Sequence, residues 1–172
     1  RVLKRAKEIL KEEHLKSCSE PLQFFLENKI ESENFNEKVL NTFALLDDVD
    51  ILSAIKTWQK NDDFVLSELC QMILNRQLLK VKLKNKPIDK IREEKYLNKV
   101  IKQFSLSAHE ASYFVFTGEI ENKAYDQEKQ HINIQKKNGK LMDVAKASDQ
   151  LNIKALSNTV TKYYICYPKE SV

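Results

Sequence analysis

The chain has 172 residues, with 29 Lys and Arg against 25 Asp and Glu and a net charge of +4. Hydrophobic residues make up 42% and charged residues 31%, an ordinary water-soluble balance. There are only two glycines, Gly118 and Gly139, so phosphate-cradling loops and dinucleotide fingerprints, which need several glycines close together, are excluded.

In chain order, Val2, Leu3, Ala6, Ile9 and Leu10 recur at three- and four-residue spacing, which predicts an amphipathic helix over residues 1–14. Leu22, Phe24, Phe25 and Leu26 predict a second helix around 20–29. Phe35, Val39, Leu40, Phe43 and Leu46 predict a third over 34–46. Asp47 or Asp48 can cap the next helix through a carboxylate, and Asp50 then lies in its first turn, where the macrodipole favours negative charge. Its buried stripe is Ile51, Ile55 and Trp58. Asn61-Asp62-Asp63 opens a further helix with Val65, Leu66, Leu69, Met72 and Ile73 as its apolar face.

From Leu79 the period changes. Leu79-Lys80-Val81-Lys82-Leu83-Lys84 alternates, the pattern of a half-buried strand. Residues 88–104 return to helical spacing through Ile91, Tyr96, Leu97, Val100, Ile101 and Phe104. Tyr113 to Thr117 is a β-prone run that ends at Gly118. His131 to Gln135 alternates, and Asn138-Gly139 then predicts a hairpin returning through Leu141 to Val144, both turn residues tolerating positive φ. A helix over about 147–156 and a last strand over Lys162–Tyr167 complete the pattern. The fold class is α+β: a helical lobe over 1–78, then a lobe over 79–172 with a small, mostly antiparallel sheet packed with helices. There is no internal repeat.

The three cysteines, Cys18, Cys70 and Cys166, are odd in number and widely spaced. No Cys-x-x-Cys pair exists, so reduced thiols in a cytoplasm fit better than a zinc knuckle or a disulfide framework. No apolar run approaches the ~20 residues of a membrane span. The N-terminus has no signal core and no Met, and it starts inside a helical pattern, as a piece of a longer protein would.

Catalytic chemistry is hard to find. His14, His109 and His131 lie far apart in sequence and bring no obvious carboxylate partners, whereas a metal site needs converging ligands. Cys70 sits among apolar helix residues and reads as a small buried hydrophobe. Asp47, Asp48 and Asp50 offer oxygen ligands for a hard cation, but their spacing is not that of an EF-hand loop, and capping is the favoured reading. Lys80, Lys82, Lys84 and Lys86 alternate along one strand face. They blunt a sheet edge or meet phosphates.

Four segments carry a resemblance. They are Leu45-Leu-Asp-Asp-Val-Asp-Ile-Leu-Ser-Ala-Ile-Lys56, Ile73-Leu-Asn-Arg-Gln-Leu-Leu-Lys80, Tyr113-Phe-Val-Phe-Thr-Gly118 and Lys162-Tyr-Tyr-Ile-Cys-Tyr-Pro-Lys169. In this order and spacing they resemble the C-terminal region of HD-superfamily nucleotide phosphohydrolases. The nearest group is the bacterial deoxyguanosine triphosphate triphosphohydrolase-like proteins, and the human sterile-alpha-motif and HD-domain dNTP triphosphohydrolase is more distant. The resemblance covers about residues 1–169.

It implies a divalent metal held by a His…His-Asp…Asp set in an upstream helical domain, where the metal activates water against a phosphate ester. This chain has no His-Asp dipeptide, so no catalytic or metal residue is assigned to it, and no cofactor of its own. The resemblance also implies a regulatory nucleotide contact by an Arg and a Lys four positions later, which here are Arg76 and Lys80 in Asn75-Arg76-Gln77-Leu78-Leu79-Lys80. An Arg fork and a Lys point charge suit phosphate oxygens, although both would also suit a helix end. The implied partners are an upstream HD domain, further copies of the chain and a nucleotide, with no membrane. The alternatives are a stand-alone protein-interaction module and a nucleic-acid binder, the last opposed by the modest, mixed charge.

Overall fold

A computed structural model describes residues 1–10, 18–122, 132–144 and 160–169. Among them, seven α-helices, one short 3-10 turn and five strands give the expected α+β class. The chain divides into two units. The first is Arg1–Leu79 with Leu106–Tyr113, and the second is Lys80–Ser105 with Phe114–Val172.

The first unit is helical: α1 (Val2–Ile9), α2 (Glu20–Glu27), α3 (Glu37–Ala44), α4 (Asp48–Trp58), α5 (Phe64–Leu74) and the short α7 (Ala108–Ala111). Local chemistry starts most of them. Ser19, Asn36, Asp47, Asp63 and Ser107 each accept a backbone N–H of the helix that follows, which satisfies donors the first turn leaves open. Helix α1 packs on α2 and α5, and α4 packs on α5. The core holds Ala6, Leu22, Ile55, Trp58, Leu66 and Tyr113, all buried. Within the expected stripes, Ile51 is half-buried and Ile73 is exposed.

The second unit holds a three-stranded antiparallel sheet in the order β1 (Lys80–Lys84), β5 (Val160–Tyr167), β2 (Phe116–Asn122). Helix α6 (Lys90–Phe104), capped by Asp89, covers one face. Tyr96 stacks on Tyr167 with ring centroids 4.1 Å apart, and the Thr117 hydroxyl donates to Glu93 at 3.3 Å. Ile165, also on that face, is fully buried. Hairpin β3 (Asn133–Gln135) and β4 (Leu141–Asp143) pairs antiparallel by itself.

Several expectations are corrected. Strand β1 is an edge strand, not a half-buried one: Val81 and Leu83 point away from α6 and are 56% and 57% exposed. Ile91 lies on the outer side of α6 and is exposed. The run at Tyr113 is not yet strand. Tyr113 and Phe114 are buried in turns after α7, and β2 begins at Phe116, so Gly118 lies inside the strand and does not end it. In the hairpin only Gly139 takes positive φ, at 79°. Gly139 N–H closes on Lys136 C=O at 2.8 Å, so Gly139 follows the tight turn and Asn138-Gly139 is not its centre. The helix expected over 147–156, His14 and His131 fall outside the described residues.

Candidate functional site

Arg76 follows the C-cap of α5, Asn75. Its N–H donates to Ile73 C=O at 3.2 Å, and Gln77 N–H donates to Met72 C=O at 2.9 Å. These two bonds close the helix only if Arg76 is left-handed, and its φ is 57°. That position usually takes Gly, because a Cβ there costs roughly 1 kcal/mol or more. The Arg76 side chain is exposed. Lys80 opens β1 opposite Tyr167 and is exposed as well. The two residues fall in different units. Each is placed by its own unit: Arg76 by a helix end and Lys80 by a strand register.

A second cluster, wholly within the first unit, was not visible as a unit in the sequence. Arg5 on α1 grips Asp63 with a two-pronged hydrogen bond, Nε to Oδ1 at 3.0 Å and Nη2 to Oδ2 at 2.6 Å. Both side chains are largely buried, 14% and 19% exposed. Glu8 lies 3.4 Å and Glu110 3.9 Å from the same guanidinium. His109 Nε2 is 3.8 Å from Glu8. Arg5 also lies over the Tyr113 ring, 5.7 Å from its centroid.

Burial works to raise the Asp63 carboxyl, but hydrogen bonds from Arg5 and Leu66 N–H, with the Arg5 charge, hold it below the usual carboxylate range. The Arg5 pKa is raised, chiefly by its bond to Asp63. Burial, then the Glu8 carboxylate, raises the Tyr113 hydroxyl. Each charge here already has an opposite partner, so the cluster acts as a clamp joining α1, the start of α5 and the Leu106–Tyr113 segment. The signal for that segment was readable: Ser107 and Glu110 form a capping box, with Ser107 N–H donating to Glu110 at 2.9 Å and Glu110 N–H to the Ser107 hydroxyl at 3.3 Å.

The acidic run at 47–50 resolves into a cap. Asp47 Oδ1 accepts from Val49 N–H at 2.7 Å and Asp50 N–H at 3.2 Å, and Asp47 N–H donates back to Asp50 at 2.8 Å. A hydrogen bond from Ser19, then the Asp47 N–H, lowers the Asp50 pKa. Among the described residues no three or more His, Cys, Asp or Glu side chains are grouped to hold a metal ion. The divalent metal implied by the resemblance therefore finds no matching donor set among the described residues. The Cys70 and Cys166 side chains are buried and that of Cys18 is half-buried. Burial pushes the Cys70 thiol up to about 11, away from nucleophilic reactivity. Among the described residues no helix is long and apolar enough to cross a membrane.

No family model matches the sequence, and no curated protein matches it. Among solved structures, a crystal structure of a phosphohydrolase from Bacteroides thetaiotaomicron is similar to it. The two share 39% identity and a TM-score of 0.82, over 98% of this chain and 42% of that one. The chain thus spans less than half the length of that protein, and over almost all of its own length it is similar to part of a phosphohydrolase.

Proposed function

We propose that this chain is the non-catalytic C-terminal region of an HD-type, metal-dependent (deoxy)nucleoside triphosphate phosphohydrolase. It works in the cytoplasm, docks on a catalytic HD domain that carries the divalent metal, and supplies contacts between copies of the enzyme. Arg76 and Lys80 meet the phosphates of a regulatory nucleotide. Similarity to 42% of a phosphohydrolase fits a supporting region better than a whole enzyme. The absence of any His-Asp dipeptide in the sequence agrees with this division of labour.

The observation that carries the regulatory contact is the backbone of Arg76. A left-handed helix cap favours Gly, yet this sequence keeps a long cation there at φ 57°. A bare helix end gains little from that choice, because a cation one turn earlier would serve the dipole without strain. A phosphate ligand gives the exposed guanidinium a reason to stand at that point. Coupling then follows from tighter nucleotide binding by the assembled form than by the separate subunits.

A longer chain containing an upstream His…His-Asp…Asp segment tests the reading. It should release triphosphate from a dNTP with a divalent metal, while the 172-residue chain alone releases none. Arg76→Ala with Lys80→Ala should abolish nucleotide-dependent assembly in the longer chain and leave its metal content unchanged. Assembly that responds to nucleotide as in the parent would refute the role of this pair. Triphosphate release by the short chain would refute the non-catalytic assignment.

A further inference from the structure

The turn from β1 into α6 encloses an open cleft of about 440 Å³ within the second unit, in the size range of small-ligand sites. Lys84, Lys86 and Arg92 supply its walls, with Ile88 and Asp89 between them. The register explains the convergence. Lys84 pairs with Tyr163 on the sheet face that α6 covers, so its side chain rises beside the first turn of the helix. Arg92 sits three residues beyond the Asp89 cap. The chain bends at Asn85 and Lys86, and Lys86 lines the same cleft. A fourth cation, Lys162, reaches the rim and donates to the Asn85 side-chain oxygen.

Among the described residues, none of Lys84, Lys86 and Arg92 forms an ion pair with a carboxylate. Among the described residues that line the cleft, the only carboxylate is Asp89, which accepts Ile91 N–H at 3.0 Å as the cap of α6. Three cations around one concavity repel one another and raise the local potential, which an anion with several separated negative oxygens relieves best. A guanidinium fork with two mobile ammonium groups suits tetrahedral phosphates in a row. A smaller cleft of about 250 Å³ shares Pro87 and Ile88 with it and is lined further by Thr117, Glu119 and Tyr163, the last offering a ring face.

We infer that the Lys84–Lys86–Arg92 cleft is a binding site for an oligophosphate, either the phosphate chain of a nucleotide or free inorganic triphosphate. This site shares no residue with the Arg76 and Lys80 pair and does not depend on the function proposed above.

Titration calorimetry on the 172-residue chain tests it, with inorganic triphosphate, a nucleoside triphosphate and a single-stranded oligonucleotide as probes. Triphosphate should bind, and Lys86→Gln with Arg92→Gln should weaken it roughly tenfold or more. Lys56→Gln with Lys60→Gln changes net charge equally in the first unit and should weaken it less than about twofold. Lys84→Gln alone gives a second reading if the double variant melts early. Equal affinity for both phosphate probes identifies the phosphate chain as the recognised part. Tighter nucleotide binding that falls on Tyr163→Ala adds the neighbouring cleft. No triphosphate binding, equal losses in both lysine-bearing pairs, or an oligonucleotide that triphosphate cannot displace would each overturn the inference. Arg76→Ala with Lys80→Ala should leave triphosphate binding intact, so the two sites can fail separately.

Discussion

In the first unit Arg5 has Asp63, Glu8 and Glu110 within reach, and the cluster is mostly shielded from water. In the second unit Lys84, Lys86 and Arg92 share a cleft whose one carboxylate among the described residues caps a helix. The same residue types thus play opposite parts. A cation surrounded by carboxylates fixes helices and has little left to offer a ligand. Cations gathered without carboxylates destabilise their own neighbourhood slightly and leave a demand that an anion can meet. Charge sequence alone does not separate these cases, because the deciding fact is which opposite charges are already engaged.

The largest effect expected from breaking this contrast lies in the cores of the two units. Trp58→Ala in the first unit should cost about 3–5 kcal/mol, and Ile165→Ala in the second about 2–5, both read from denaturant midpoints. Asp63→Ala should come next at roughly 2 kcal/mol, because it removes both a helix cap and the partner of a buried guanidinium. Lys86→Gln, by contrast, should leave the midpoint nearly unchanged, since an unpaired surface cation contributes little to folding.

The acid limb sharpens the same comparison. Asp63 has a folded pKa below its unfolded value, so it stabilises the fold above the unfolded value, about 3.9, and that contribution is lost as pH falls through the folded one. Stability measured from about pH 5 downward should therefore fall less steeply in Asp63→Asn than in the parent.

Gly118 gives a smaller effect. A Cβ built there would lie 2.5 Å from the Tyr164 hydroxyl and 2.6 Å from its ring carbon Cζ, so the ring must swing away. Gly118→Ala should cost about 1–2 kcal/mol, and combining it with Tyr164→Ala should give less than the sum of the two single losses. The smallest effect is a gain. Arg76→Gly should stabilise the chain by about 0.5–1 kcal/mol, by relieving the left-handed backbone, while removing the proposed nucleotide contact.

What could be read from the sequence was chiefly local. Asp47 and Asp63 announce helix starts because a cap bonds within its own first turn, and the Asn138-Gly139 hairpin is equally short-range. Ser107 and Glu110 carried the same kind of signal, but it went unread beside the aromatic run that follows. That run misled because Tyr113 and Phe114 are apolar for burial in turns and not for strand pairing, and β-propensity does not distinguish the two. Val81 and Leu83 misled for a related reason: alternation predicts a face but not whether anything covers it. The lysines of β1 were visible as a ribbon. Arg92 was not joined to them, because only the bend at Asn85–Lys86 and the placement of α6 against β5 bring it alongside.

The order β1-β5-β2 sets the timetable of biosynthesis. The middle member of the sheet is the last of the three to be made, so both outer strands leave the ribosome before either has a template. Until Tyr163 to Tyr167 emerge, Val81, Leu83 and Phe116 can only find strangers. Nascent chains stalled before that point should therefore be frequent clients of holding chaperones.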